Sequence, residues 1–160
     1  MNTQAVELQP LSTRRWIARL RRRLGCARPN VRVTAAPSVR MGETLHVDWR
    51  VERAADATVV AVSLAGAEIA HRRISARTGI SIVTERRDFV VAPIDRRSPE
   101  RGAATVSGQG ATVVPVGTVP SLSARLNEIV WAVIVEIFVP GNQAATLREE
   151  FPIVVLPGPR

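Results

Sequence analysis

From Val31 onward, apolar and polar residues alternate along the chain. Leu45, Val47, Trp49 and Val51 are interleaved with His46, Asp48, Arg50 and Glu52, the two-residue period of a strand with one buried face. Gly42-Glu43 ahead of it reads as a turn after a short strand, Val31 to Ala35. Val59 to Leu64 is β-branched and largely apolar, Ala67 to Ser75 continues it past Gly66, and Ile80 to Val91 alternates loosely. Pro93 to Gly102 is polar and proline-bearing and is expected to be a loop. Ala103 to Val116 contains Gly108 and Gly110 and predicts an interrupted or bulged strand pair. Ile129 to Val139 is the most apolar segment, ended by Pro140-Gly141, and Phe151 to Leu156 closes the chain. Pro152 cannot donate to a ladder, so the last strand should lie at an edge or begin irregularly. About six to eight short strands without helical patterns between them describe an all-β fold, an antiparallel β-sandwich of immunoglobulin-like type. A parallel α/β sheet is excluded because its crossover helices are missing.

The first 28 residues follow a different period. Trp16, Ile17, Leu20 and Leu24 form one stripe of a helix, and arginines occupy the opposite face. Ser12 is the candidate N-cap and Gly25 the candidate stop, which predicts a basic amphipathic helix over residues 13–24. So short a helix is marginal alone in water and should form only against something else. The division is therefore a basic leader, 1–28, and a sandwich domain, 29–160.

Charge sharpens that division. The net charge of +8 sits mainly in the leader, where Arg14, Arg15, Arg19, Arg21, Arg22, Arg23 and Arg28 face only Glu7. The body is nearly neutral and offers no basic groove to extend a nucleic-acid footprint. The candidate partner-binding residues are Arg14, Arg15, Trp16, Ile17, Arg19, Leu20, Arg21, Arg22, Arg23 and Leu24.

With 160 residues, 46% of them hydrophobic and 22% charged, the chain can build one real core. No apolar run is long enough to span a bilayer, and arginines stand where a signal peptide would place its apolar stretch. Cys26 is the single cysteine, so packing alone must hold the fold, which suits a reducing compartment. A cytoplasmic location is expected.

The search for chemistry returns no catalytic, cofactor or metal site. His46 and His71 have no companions at ligand spacing, and His71 sits beside Arg72 and Arg73. Cys26 follows the C-terminal end of the predicted helix, where the dipole opposes thiolate formation. Gly108-Gln109-Gly110 lacks a third glycine and a following helix, so it reads as a turn or bulge and not as a phosphate loop. Asp48, Glu52 and Glu136 read as a solvated face. Trp49 and Trp131, on two long strands, are expected to be opposed core anchors, each burying about 200 Å². No enzyme activity is expected.

The segment V-R-V-T-A-A-P-S-V-R-M-G-E-T-L-H-V-D-W-R-V, residues 31–51, resembles the opening hairpin of arrestin-fold domains. Residues 119–139 are similar to a late part of those domains, where a Pro-Ser start and a polar loop lead into a strand carrying an aromatic. Phe151 to Leu156, followed by Pro157, resembles their closing strand. The resemblance, over residues 31–51 and 119–157, implies a single arrestin-like β-sandwich of the kind bacteria also possess, whose relatives are adaptors and regulators. Eukaryotic arrestins use two sandwiches and a buried charged cluster that senses phosphate. This chain has room for one, and no residue matches that cluster.

The function expected from these readings is that of a non-enzymatic adaptor or structural subunit acting through protein contacts. Its partner would be another protein or a second copy joined through sheet edges. The alternative is a binder of nucleic acid or an anionic membrane surface that uses the leader's arginines.

Overall fold

The computed structural model describes residues 4–11, 29–55, 57–76, 79–140 and 147–158. The helix predicted over 13–24, its ten candidate binding residues from Arg14 to Leu24, and Cys26 lie outside the described residues.

The described residues form ten strands in two sheets: β1 (Val6–Glu7), β2 (Asn30–Ala35), β3 (Ser38–Arg40), β4 (Thr44–Glu52), β5 (Val59–Ala76), β6 (Gly79–Arg97), β7 (Thr105–Val113), β8 (Leu122–Ser123), β9 (Asn127–Phe138) and β10 (Leu147–Leu156). One sheet has the order β1-β2-β4-β7, the other β3-β10-β9-β5-β6, with β8 pairing β9. The all-β sandwich expected from the alternation is present. All pairings are antiparallel except a short parallel one between β3 and the end of β10.

The two-residue period translates directly into burial. Leu45, Val47, Trp49 and Val51 of β4 are buried, and the polar residues between them face outward. Opposite them lie Val60, Val62 and Leu64 of β5, Trp131, Val133 and Val135 of β9, and Phe151, Ile153 and Val155 of β10. Each such large side chain gains about 1.5 to 3 kcal/mol on burial. Trp49 and Trp131, at 3% and 1% exposure, belong to one core from opposite sheets, as two anchors. The turn at Gly42 is also as expected: its φ of 84° is left-handed backbone that favours glycine, and its N–H donates to Val114 O.

Three sequence expectations require correction. Pro93 to Gly102 is not loop throughout, because β6 continues to Arg97. Pro93 is tolerated there because β6 is an edge strand and its register with β5 shifts at Ser63 opposite Pro93. The stretch with Gly108 and Gly110 is neither a turn, a bulge nor an interrupted pair, since β7 runs unbroken along β4 from Thr105 to Val113. The glycines serve close packing: a Cβ on Gly110 would stand 2.5 Å from Ile94 O, and one on Gly108 2.8 Å from Trp49 Cζ2. β6 of the second sheet can therefore press against the inner face of β7.

The third correction concerns β10, which is not simply an edge strand. It pairs β9 over Leu147–Ile153 and meets β3 only from Val154. Glu150 O accepts from Leu11 N, and Val154 N donates to Pro37 O, both on the side away from β9. Pro152, in phase with them, turns its donor-less nitrogen to that same open side, so the ladder with β9 loses nothing.

Candidate protein-interaction surface

Three features stand out beyond the core, and the first is a charged network on the outer face of the second sheet. Arg86 Nη1 donates to Glu150 Oε2 at 2.7 Å, and its Nε to Asp88 Oδ1 at 2.9 Å. Arg148 Nε donates to Glu150 Oε1 at 3.1 Å and also stands 3.6 Å from Glu136. Since β5 and β9 lie between β6 and β10, Arg86 reaches across both. Small residues make that reach feasible: Ala65 and Ala132, paired on the outward face, are buried together with Ile134. Burial alone would lower the Arg86 pKa, but hydrogen bonds to Glu150 and Asp88 outweigh it and hold the pKa above its ordinary value. The shallow cleft of about 250 Å³ between Arg86, Asp88, Arg148 and Glu150 is thus lined by charges that pair with one another. It is a clamp over the sheet.

The second feature is the β5–β6 ribbon. The ladder between β5 and β9 ends at Ala70 opposite Asn127, and one further bond runs from His71 N to Leu126 O. Among the described residues β5 and β6 continue past it paired only with each other, to Ala76 opposite Gly79. Beyond the body the ribbon exposes Ile74 at 48%, Ile82 at 65% and Val83 at 37%, flanked by Arg72 and Arg73. A two-stranded ribbon is marginally stable by itself, and among the described residues none covers these apolar side chains, which lie on both of its faces.

The third feature is the seam between the sheets on the β6–β7 side. Trp49 Nε1 donates to Asp95 Oδ2 at 3.1 Å, and Asp95 also accepts from Arg97 Nε and from the Arg96 backbone N–H. Near the opposite end of the core, Trp131 Nε1 donates to Val119 O at 2.9 Å, and its ring meets Phe89 edge-to-face with centroids 5.6 Å apart.

The other singled-out residues are placed individually. His46 is exposed on β4. His71 Nδ1 lies 3.2 Å from Thr84 Oγ1, and its Nε2 lies 3.9 Å from Glu128. Asp48 is exposed, Glu52 is hydrogen-bonded by Asn30, and Glu136 is drawn into the Arg148 network. Among the described residues no three His, Cys, Asp or Glu side chains cluster so as to hold a metal ion, and no helix is long and apolar enough to cross a membrane. Sequence reasoning missed the Arg86 clamp because its members sit on non-adjacent strands. It missed the ribbon because strand length past a partner cannot be read from alternation.

No protein-family model matches the sequence, and no curated protein matches it. Among solved structures, the fold is similar to Spo0M, the sporulation control protein of Bacillus subtilis, with a TM-score of 0.46 and 13% identity over 81% of this chain. The match covers 49% of Spo0M, so the chain spans about half of that protein's length. Spo0M has the arrestin fold, the family that residues 31–51 and 119–157 resemble.

Proposed function

We propose that the protein is a non-enzymatic adaptor or structural subunit that acts by contact with another protein. The observation that supports this reading is the β5–β6 ribbon, which carries exposed Ile74, Ile82 and Val83 beyond the body of the sheet. From Arg72 to Ala76 no described residue pairs with the margin of β5 that faced β9, so a partner can add a strand there and pack side chains against the ribbon's apolar residues. Burial of each isoleucine would contribute about 1.5 to 3 kcal/mol, enough to dominate a contact of modest size.

The test is a paired substitution, Ile74→Ser with Ile82→Ser, in the tagged full chain captured from its host cell. Both side chains are exposed, so melting should change by no more than about 0.5 kcal/mol per site. Loss of the retained protein with unchanged melting supports the reading. Retention of the same protein by the double variant rejects the ribbon as the contact element.

A further inference from the structure

β7 forms one margin of the first sheet and, among the described residues, pairs only with β4, in continuous register from Thr105 to Val113. At one end Val114 N donates to Glu43 O and Gly42 N to Val114 O. At the other, Arg53 N donates to Ala104 O. The even-numbered residues therefore direct their backbone groups toward β4. Alternation turns the N–H and C=O groups of Thr105, Ser107, Gln109, Ala111 and Val113 outward, and among the described residues none of them has a hydrogen-bond partner.

Exposed strand edges are ordinarily defended, and among the described residues the margins at β6, β10, β1 and β3 are. β6 carries Glu85, Arg86, Arg87, Asp88 and the Asp95–Arg97 run together with Pro93. The open stretch of β10 carries Arg148, Glu150 and Pro152. β1 and β3 have two and three residues. β7 alone, Thr-Val-Ser-Gly-Gln-Gly-Ala-Thr-Val, has nine residues with no charge, no proline and no bulge.

The missing charge identifies the occupant. When a strand pairs antiparallel with its own copy about a two-fold axis, the central side chain meets itself, and a charge there is repelled by its equal. A different partner strand could carry the opposite sign and would impose no such restriction. We infer that β7 pairs antiparallel with β7 of a second copy of this chain, with the two-fold axis at Gln109. That register sets Gln109 opposite Gln109, Ser107 opposite Ala111 and Thr105 opposite Val113, so every outward-facing backbone group meets a partner. The two Gln109 amides, each both donor and acceptor, lie side by side on the outer face. Two four-stranded sheets become one continuous sheet, and the β5–β6 ribbons play no part in the contact.

Sedimentation velocity of the full chain at about 1 to 100 µM, where a modest interface populates both states, tests this. The wild type should rise with concentration to twice the 17.4 kDa chain mass. Gln109→Lys and Gln109→Glu should each remain monomeric, with unchanged circular dichroism, because like charges then meet on the axis. An equimolar mixture of the two should recover the dimer. Should a charged variant fail to fold, hydrogen exchange of the wild type decides: the amides of Ser107, Gln109 and Ala111 should become protected at high concentration. A wild type that stays monomeric throughout, a single charged variant that dimerises like wild type, a mixture that stays monomeric, or edge amides that exchange freely at high concentration would each overturn the inference.

Discussion

The indole N–H of Trp49, on β4, donates to Asp95 Oδ2, on β6, at 3.1 Å, and the bond links the two sheets at the seam where β6 lies against β7. Trp49 is 3% exposed and the Asp95 side chain 13%, so water has little access to either group. The glycines of β7 make room for the pair, because a side chain on Gly108 would collide with both.

Asp95→Ala should cost about 1 to 3 kcal/mol, the price of leaving a buried indole N–H without an acceptor. Trp49→Ala should cost about 3 to 5 kcal/mol, and Trp131→Ala the same, because each empties a core position. Thermal or denaturant unfolding of the three variants checks the order. Equal, near-wild-type melting of Asp95→Ala would mean that water replaces the carboxylate.

Gly108→Ala and Gly110→Ala should each destabilise by about 1 to 3 kcal/mol through overpacking, since the obstructing atoms include a tryptophan ring and the Ile94 backbone. Alanine has the better conformational entropy in a strand, so if the two strands can separate freely the change would be neutral or stabilising. Denaturant midpoints distinguish the outcomes.

These two sites also show how much of the fold was legible in the sequence. Alternation at Leu45–Glu52 and the β-branched run at Val59–Leu64 prescribe buried faces without reference to anything distant, and both strands formed as read. Gly108 and Gly110 misled because a glycine pair has the same local signature whether it bends the chain or admits a neighbouring strand. Only the approach of Ile94 and Asp95 distinguishes the cases. Pro93 misled for a related reason, since its cost depends on whether its strand has a neighbour on that side. Val6–Glu7 pairs with β2, and Leu8 joins the core, from a segment too short to show any period. The ribbon and the β7 edge depend on where neighbouring strands stop, which no local pattern encodes.

Arg86→Met should cost about 1 to 2 kcal/mol, between the limits for exposed and buried pairs, because Glu150 loses its shortest ion pair and Arg148 remains as a partial substitute. The loss should shrink at high salt. A double-mutant cycle with Glu150→Gln measures the coupling, and a coupling of zero would reduce the clamp to a surface decoration.

The Glu52 carboxyl is held below its ordinary pKa, first by the hydrogen bond from Asn30 and further by the nearby charges of Arg32, Arg50 and Arg53. A depressed folded-state pKa gives stability that is present above the unfolded-state pKa and is lost as pH falls through the folded one. Asn30→Ala should raise the Glu52 pKa in an NMR titration. An unmoved titration would assign the depression to the arginines alone.

The leader separates the adaptor reading from the anionic-surface alternative. If its apolar stripe makes the contact, Leu20→Ala should weaken binding more than the triple change of Arg21, Arg22 and Arg23 to Gln, with little effect of salt. If the arginines dominate, raising salt from about 50 to 200 mM should weaken binding by orders of magnitude. A pull-down of both variants at the two salt concentrations decides.

The central claim is that the β5–β6 ribbon meets another protein, and site-specific photo-crosslinking in the host cell tests it most directly. A photoreactive residue at Ile82, 65% exposed on the ribbon, is compared with one at Arg50, exposed on the outer face of β4. A discrete protein adduct is expected at Ile82 and none at Arg50. Identical crosslinking patterns at the two positions, or no adduct at Ile82, would contradict it.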